Sequence, residues 1–137
     1  MALEAFLKQN KKDTAKEVEF PASEAFVDAD GKVMMWKLRP VKSREMEGIR
    51  SSVNSYKKNG AVEFDNASFN RKIAVACTVY PDLKNAELQN SYGVMGEEEL
   101  IIEMLDNDGE YQKYVKKCLE ISGYDESDAD LVEEAKN

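Results

Sequence analysis

The chain has 137 residues, 42% hydrophobic and 34% charged, with a net charge of −8 and no histidine. That length suits one domain with a genuine core, and the net charge argues against a phosphate-backbone partner, which would need clustered Lys and Arg, so no nucleic acid is expected. No stretch approaches the ~20 apolar residues of a membrane span and the opening MALEAFLKQNKK lacks the apolar region of a signal peptide, so no membrane partner is expected either.

Leu3, Phe6 and Leu7 form a short apolar stripe followed by a polar run, which reads as a brief N-terminal helix or arm. Val18-Glu19-Phe20 and Ala25-Phe26-Val27 alternate as strands do, and residues 28–32 supply turn chemistry with Gly31 for a positive φ. Residues 33–41 return as a second strand. There the two-residue period sends Met34, Trp36 and Leu38 to one face and Met35, Lys37 and Arg39 to the other. Pro21 cannot donate to a ladder and suggests an edge or a break. A lone hairpin is marginal in water, so the Trp36 face should pack on helices or pair with something else. Tryptophan is heavily buried on average, which makes Trp36 a core residue by default. The competing reading is an open strand edge that templates strand addition by another chain.

Near Pro40 to Ser43 the period changes to 3.6. Ser43 is placed to cap a helix along which Met46, Ile49, Val53 and Tyr56 repeat as far as Asn59-Gly60. After a link over residues 61–65, Asp65 or Asn66 caps a second helix with Phe69, Ile73, Ala76, Cys77 and Tyr80 as its stripe. Residues 74–77 are apolar nearly all round, as in a helix at the middle of a domain. Tyr80-Pro81-Asp82 stops that pattern, since proline lacks an N–H and pushes its predecessor out of the α region, and Asp82 can cap the next turn. Gly93 stands where a left-handed C′ residue is needed. Gly96 precedes Glu97-Glu98-Glu99, whose charges suit a helix N-terminus, and Leu100, Ile101, Met104 and Leu105 then share a face. Asp106-Asn107-Asp108-Gly109 breaks the chain. It does not fit the twelve-residue calcium loop, so it reads as a turn with a helix cap before a stripe of Tyr111, Tyr114, Val115, Cys118 and Leu119 that ends at Ser122-Gly123.

The expected fold is α+β and mainly α-helical: an N-terminal β-hairpin over about residues 17–41, then four or five helices over 42–123, with fewer than five strands. Residues 1–123 form one domain and 124–137 an acidic, loosely ordered tail. Charge is uneven, +2 over residues 1–96 and −10 over 97–137. The tail is read as a solvated solubility aid or, more sharply, as a negative end that contacts a basic partner or a neighbouring copy. Cys77 and Cys118 lie on apolar faces without a CxxC pattern, as buried free thiols in a reducing cytoplasm would. With no histidine, a Ser or Cys nucleophile lacks its commonest base and a zinc site lacks imidazole. There is no P-loop or GxGxxG, and the Asp/Glu runs lie on polar faces. The chain is therefore expected to be non-enzymatic, without catalytic or metal-binding residues and without a cofactor.

The stretch VYPDLKNAELQNSYGVMGEEEL, with the opening MALEAFLKQN and the hairpin segment VMMWKLRPV, resembles the XkdN-like tail assembly chaperones of tailed phages and defective prophages. The resemblance runs over nearly the whole chain and is loosest in the last fifteen or so residues. It implies a chaperone that binds and shields the tape measure protein during tail assembly, in the cytoplasm of the bacterial host, and is absent from the mature virion. A stable structural or adaptor subunit of a phage tail or other assembly is the alternative. A chaperone that must let go when tail tube subunits arrive should self-associate weakly and hold its client through an apolar surface. Phe26, Met34 and Trp36 on the hairpin and Leu100, Met104 and Tyr111 on the later helices are the expected partner-binding residues, methionine suiting irregular partners. The resemblance further implies a frameshifted extended form that contacts the tail tube protein. Ala135-Lys136-Asn137 is compatible with the codons GCA AAA AAC, which hold a slippery heptamer, and is equally an ordinary charged terminus.

Overall fold

The computed structural model describes residues 2–124, and the fold is α+β with mainly helical content. Two 3₁₀ turns, Leu3–Phe6 and Lys8–Asn10, form the N-terminal arm and bury nothing. The remaining elements are β1 (Val18–Phe20), β2 (Trp36–Leu38), α1 (Ser43–Ser52), β3 (Asn54–Tyr56), β4 (Val62–Phe64), α2 (Asn66–Cys77), β5 (Thr78–Tyr80), α3 (Ala86–Ser91), α4 (Glu97–Met104) and α5 (Asp108–Ile121). The five α-helices among the described residues fall within the number expected. The five strands exceed it, although each is only three residues long.

The hairpin forms with β1 antiparallel to β2, pairing Phe20 with Trp36 and Val18 with Leu38. Its strands are shorter than expected, and beyond them only an isolated Val27–Val33 bridge remains. β5 pairs with the other side of β2, so β2 is the middle strand of a three-stranded sheet and offers no open edge. Tyr80 is therefore a strand residue and not the end of a helical stripe. Cys77-Thr78-Val79-Tyr80 is rich in β-branched and aromatic side chains, and extended pairing with Lys37 and Leu38 satisfies backbone groups that helix would otherwise use. The Tyr80–Pro81 peptide bond is cis.

The helix expected to reach Asn59 stops at Ser52. Ser51, Ser52, Asn54 and Ser55 are weak helix formers, and residues 54–64 instead make a second antiparallel hairpin with Tyr56 opposite Val62. Ser43 does not cap α1, whose N-cap is Lys42 without a side-chain bond. Asp65 does cap α2, its Oδ1 accepting from Ser68 N–H at 3.0 Å. Asp82 closes a turn by accepting from Lys84 N–H, and Asn85 caps α3. Asn107 caps α5, Gly93 takes a positive φ as expected, and Gly96, the N-cap of α4, takes one as well.

The core lies between β2, α2, α4 and α5. Trp36 and Leu38 descend from the sheet onto Phe69, Ile73 and Cys77 of α2, Leu100 and Ile101 of α4, and Tyr114 and Cys118 of α5, all buried. Trp36 meets Tyr114 edge-on with centroids 5.4 Å apart. α2 packs against α1, α4, α5 and β5, the central place its all-round apolar segment required. Polar stitches tie the first third of the chain to α5: Ser23 Oγ and Glu24 N–H donate to the Glu110 carboxylate at 2.8 and 3.0 Å, and Val41 N–H donates to Ser122 Oγ at 2.9 Å. Tyr124 is half-buried and its hydroxyl accepts from Arg50 at 2.6 Å. The remainder of the acidic tail, with the Ala135-Lys136-Asn137 site, lies outside the described residues.

Candidate partner-binding surface

The loop between β1 and β2 is a compact tip. Asp28 organises it: its Oδ1 accepts from Asp30 and Lys32 N–H, its own N–H donates to Lys32 O, and Gly31 turns the chain at φ 80°. Met34 N–H donates to Phe26 O at 2.8 Å, which sets these two residues side by side below the tip. Phe26 leans on Trp36 with centroids 5.9 Å apart. Burial alternates along the segment leading into β2, with Met34 half-buried and Trp36 buried while Val33 and Met35 are exposed.

Of the six residues expected to bind a partner, Trp36, Leu100, Met104 and Tyr111 are buried in the core and present no surface in this conformation. Phe26 and Met34 are half-buried and adjacent. The apolar surface around them comes from neighbours that sequence reasoning passed over: Val27 is 52% exposed, Met35 41% and Val33 37%. The signal for these lay in the opposite phase of the same strand, where a solvent-facing position carries a hydrophobe. Other exposed apolar residues occur on the arm (Leu3, Phe6), on the second hairpin (Tyr56, Val62), at β5 (Val79, Tyr80) and at Met95.

A groove of about 600 Å³ runs beside α1 and α2, with half-buried Ile49, Val75 and Ala76 in its lining. Its rim carries a bidentate Arg39–Glu45 pair at 2.8 and 2.9 Å, which holds the Arg39 guanidinium above its ordinary pKa, and a Lys72–Glu98 pair at 3.1 Å. No group of ligating residues that would hold a metal ion assembles among the described residues, and no described helix is long and apolar enough to cross a membrane. Cys77 and Cys118 are buried free thiols, as expected. Burial pushes the Cys118 thiol well above its usual pKa, which removes nucleophilic thiolate at neutral pH. Burial likewise raises Tyr111 and Tyr114, so both stay neutral phenols. Such groups build a core and do not make a reactive centre.

Comparison with known proteins agrees with a non-catalytic reading. The phage XkdN-like tail assembly chaperone family matches residues 3–136. The phage-like element PBSX protein XkdN of Bacillus subtilis is 32% identical over 137 residues, covering 97% of this chain and 93% of that protein. YqbN of the same organism is 35% identical over 127 residues, covering 90% and 85%. A crystal structure of YqbN superposes with a TM-score of 0.76 at 30% identity, over 91% of this chain and 98% of that one. A family match spanning nearly the whole chain, with agreement in both sequence and fold, means that the chain belongs to the phage XkdN-like tail assembly chaperone family.

Proposed function

We propose that this protein binds and shields the tape measure protein while a phage tail is being assembled in the bacterial cytoplasm, and is released before the tail is complete. The family match over residues 3–136 carries this reading. The apolar tip formed by Phe26, Val27, Val33, Met34 and Met35 supports it, because it supplies the kind of surface that a reversible client contact needs. Isolated exposed hydrophobes are common, but three on one hairpin, Val27, Val33 and Met35, with half-buried Phe26 and Met34 beside them, favour an interaction site. Two methionines let the tip repack against an irregular apolar stripe on a helical client. Self-association stays weak, so that the tail tube protein can displace the chaperone.

Co-expression with the tape measure protein from the same gene cluster, followed by affinity capture, tests the reading. The client should co-purify, and Val27→Glu with Met35→Glu should cut its recovery at least about tenfold, as expected for losing the burial of two apolar side chains, while leaving thermal melting unchanged. Failure to retain the tape measure protein would overturn the chaperone assignment. Stoichiometric recovery of the protein in finished tails would point instead to a stable subunit.

A further inference from the structure

The N-terminal arm folds on itself and leaves its apolar side chains uncovered. Its two turns are tied by Asn10 Nδ2 donating to Glu4 O at 2.7 Å, yet Phe6 is 80% exposed, Leu3 62% and Leu7 39%. Lys8, Lys11 and Lys12 follow directly. None of the three makes an ion pair among the described residues, unlike Arg39, Lys57, Lys72 and Lys117. The arm is thus an apolar finger with a basic root. The tip of the first hairpin has the matching character: exposed Val27, Val33 and Met35 sit among Glu24, Asp28 and Asp30, with Lys32 the one cation of residues 24–35.

Helix α5 places these two surfaces at opposite ends of the fold. Its first turn lies beside the loop that leads to the tip, where the Glu110 carboxylate accepts from Ser23 and Glu24. Its far end reaches the arm, since Ile121, Ser122 and Gly123 line an open groove of about 860 Å³ together with Lys8, Lys11 and Lys12. The 14 residues of α5 span roughly 21 Å. A molecule with a basic end and an acidic end is repelled by a parallel copy and attracted by an antiparallel one. A two-fold axis then makes the contact twice, because whatever the first arm meets on the second copy, the second arm meets on the first.

We propose that, without client, two copies pair antiparallel about a two-fold axis and the arm of each covers the hairpin tip of the other. Leu3 and Phe6 lie on Val27, Val33 and Met35, while Lys8, Lys11 and Lys12 face Glu24, Asp28 and Asp30. Each ion pair is exposed and weak singly, and an apolar contact of this size belongs to the transient class of interfaces, so the dimer dissociates on dilution. The pairing hides the surface that the chaperone reading gives to the client. That client and second copy exclude one another rests on that reading; the pairing itself does not.

Sedimentation equilibrium of the full chain from about 10 µM to about 1 mM, without client, tests the pairing. A monomer to dimer equilibrium is expected, with a dissociation constant that rises at least about threefold in roughly 0.5 M salt. Leu3→Ser with Phe6→Ser should raise it at least about tenfold, as should Val27→Glu with Met35→Glu. Charge reversal sharpens the test. Lys11→Glu with Lys12→Glu, and separately Glu24→Lys with Asp30→Lys, should each abolish self-association, whereas an equal mixture of the two variants should form a heterodimer, since both of its contacts are complementary. All these positions are exposed, and unchanged melting shows that each variant is folded. Monomer throughout the range, dimers indifferent to these changes, or species that grow past the dimer would overturn the pairing. Competition is read separately, by affinity capture with the tape measure protein. Leu3→Ser with Phe6→Ser should recover at least as much client as the unaltered chain, and client bound to intact dimers would overturn the exclusion while the pairing stands. Dimers that form as expected from a protein that never retains the client would refute the chaperone reading alone.

Discussion

The tripeptide Val-Glu-Phe occurs twice as a strand, once as β1 and once as β4, and the two copies meet different fates. In β1 both Val18 and Phe20 are half-buried. Phe20 packs near Tyr114 at 6.2 Å, with the Lys117 ammonium 5.9 Å from its ring centroid. In β4 Val62 is 57% exposed, while Phe64 meets Phe69 with ring centroids 5.3 Å apart. The local sequence is identical, so the difference comes from what lies beside each strand. β1 pairs with a strand that is itself paired on its far side and pressed onto helices. β4 pairs only with Asn54-Ser55-Tyr56, which has little to bury. Strand propensity is thus a fit to surroundings more than a property of the residues, and the first hairpin belongs to the core while the second rides on the surface.

The largest test of this contrast removes an aromatic from each hairpin. Trp36→Ala should cost about 3–5 kcal/mol in urea denaturation, as large-to-small changes in a packed core do, because Phe26 and Tyr114 both lose a ring contact. Tyr56→Ala, at a residue 76% exposed, should stay within about 0.5 kcal/mol. Comparable losses at the two sites would remove the distinction between the hairpins.

A second test uses pH. Burial raises Tyr111 and Tyr114 above the ordinary phenol value of 10.0. A group whose folded pKa is raised contributes stability that is complete below the unfolded pKa and declines as pH climbs from there toward the folded value. Stability should therefore be insensitive to these tyrosines at neutral pH and fall above pH about 10, by up to about 1.4 kcal/mol per pH unit for each. Tyr114→Phe should flatten that alkaline decline, as read from denaturation midpoints between pH 9 and 11.

Asp65 joins the surface hairpin to α2, and Asp65→Ala should cost about 1 kcal/mol by orphaning the Ser68 N–H. A change well above that would mean the second hairpin supports α2 by more than its cap. The smallest expected effect is Val62→Thr, within about 0.5 kcal/mol. Amide exchange sharpens the same comparison without mutation: the Leu38 amide should exchange near the global unfolding limit, and those of Tyr56 and Val62 much faster.

Helical stripes were legible where spacing and caps agreed. Leu100, Ile101, Met104 and Leu105 share a buried face as their spacing required, and Asp65 and Gly93 punctuate helices where expected. The stripe through Val53 and Tyr56 misled because helical spacing continued past residues that form helix poorly, and local strand pairing prevailed. β5 was invisible because its partner lies some forty residues earlier, beyond any local pattern. Among the expected binding residues, Trp36, Leu100, Met104 and Tyr111 were chosen for being apolar on a regular face, which is also the description of a core residue. What distinguishes an exposed hydrophobe from a core one is a position out of phase with that face, as at Val33 and Met35.

The stitches from Ser23 to Glu110, Val41 to Ser122 and Arg50 to Tyr124 each close a loop of more than seventy residues. A growing polypeptide makes the sheet strands early, yet Tyr114, the ring that covers Trp36, is among the last of the core to emerge from the ribosome. Until then the indole has lost its main aromatic cover and the hairpin has nothing to anchor its loop. Completion of this core consequently comes late in synthesis and waits on distant contacts, which slows closure and leaves the nascent chain, for that interval, a sticky object in need of shielding itself.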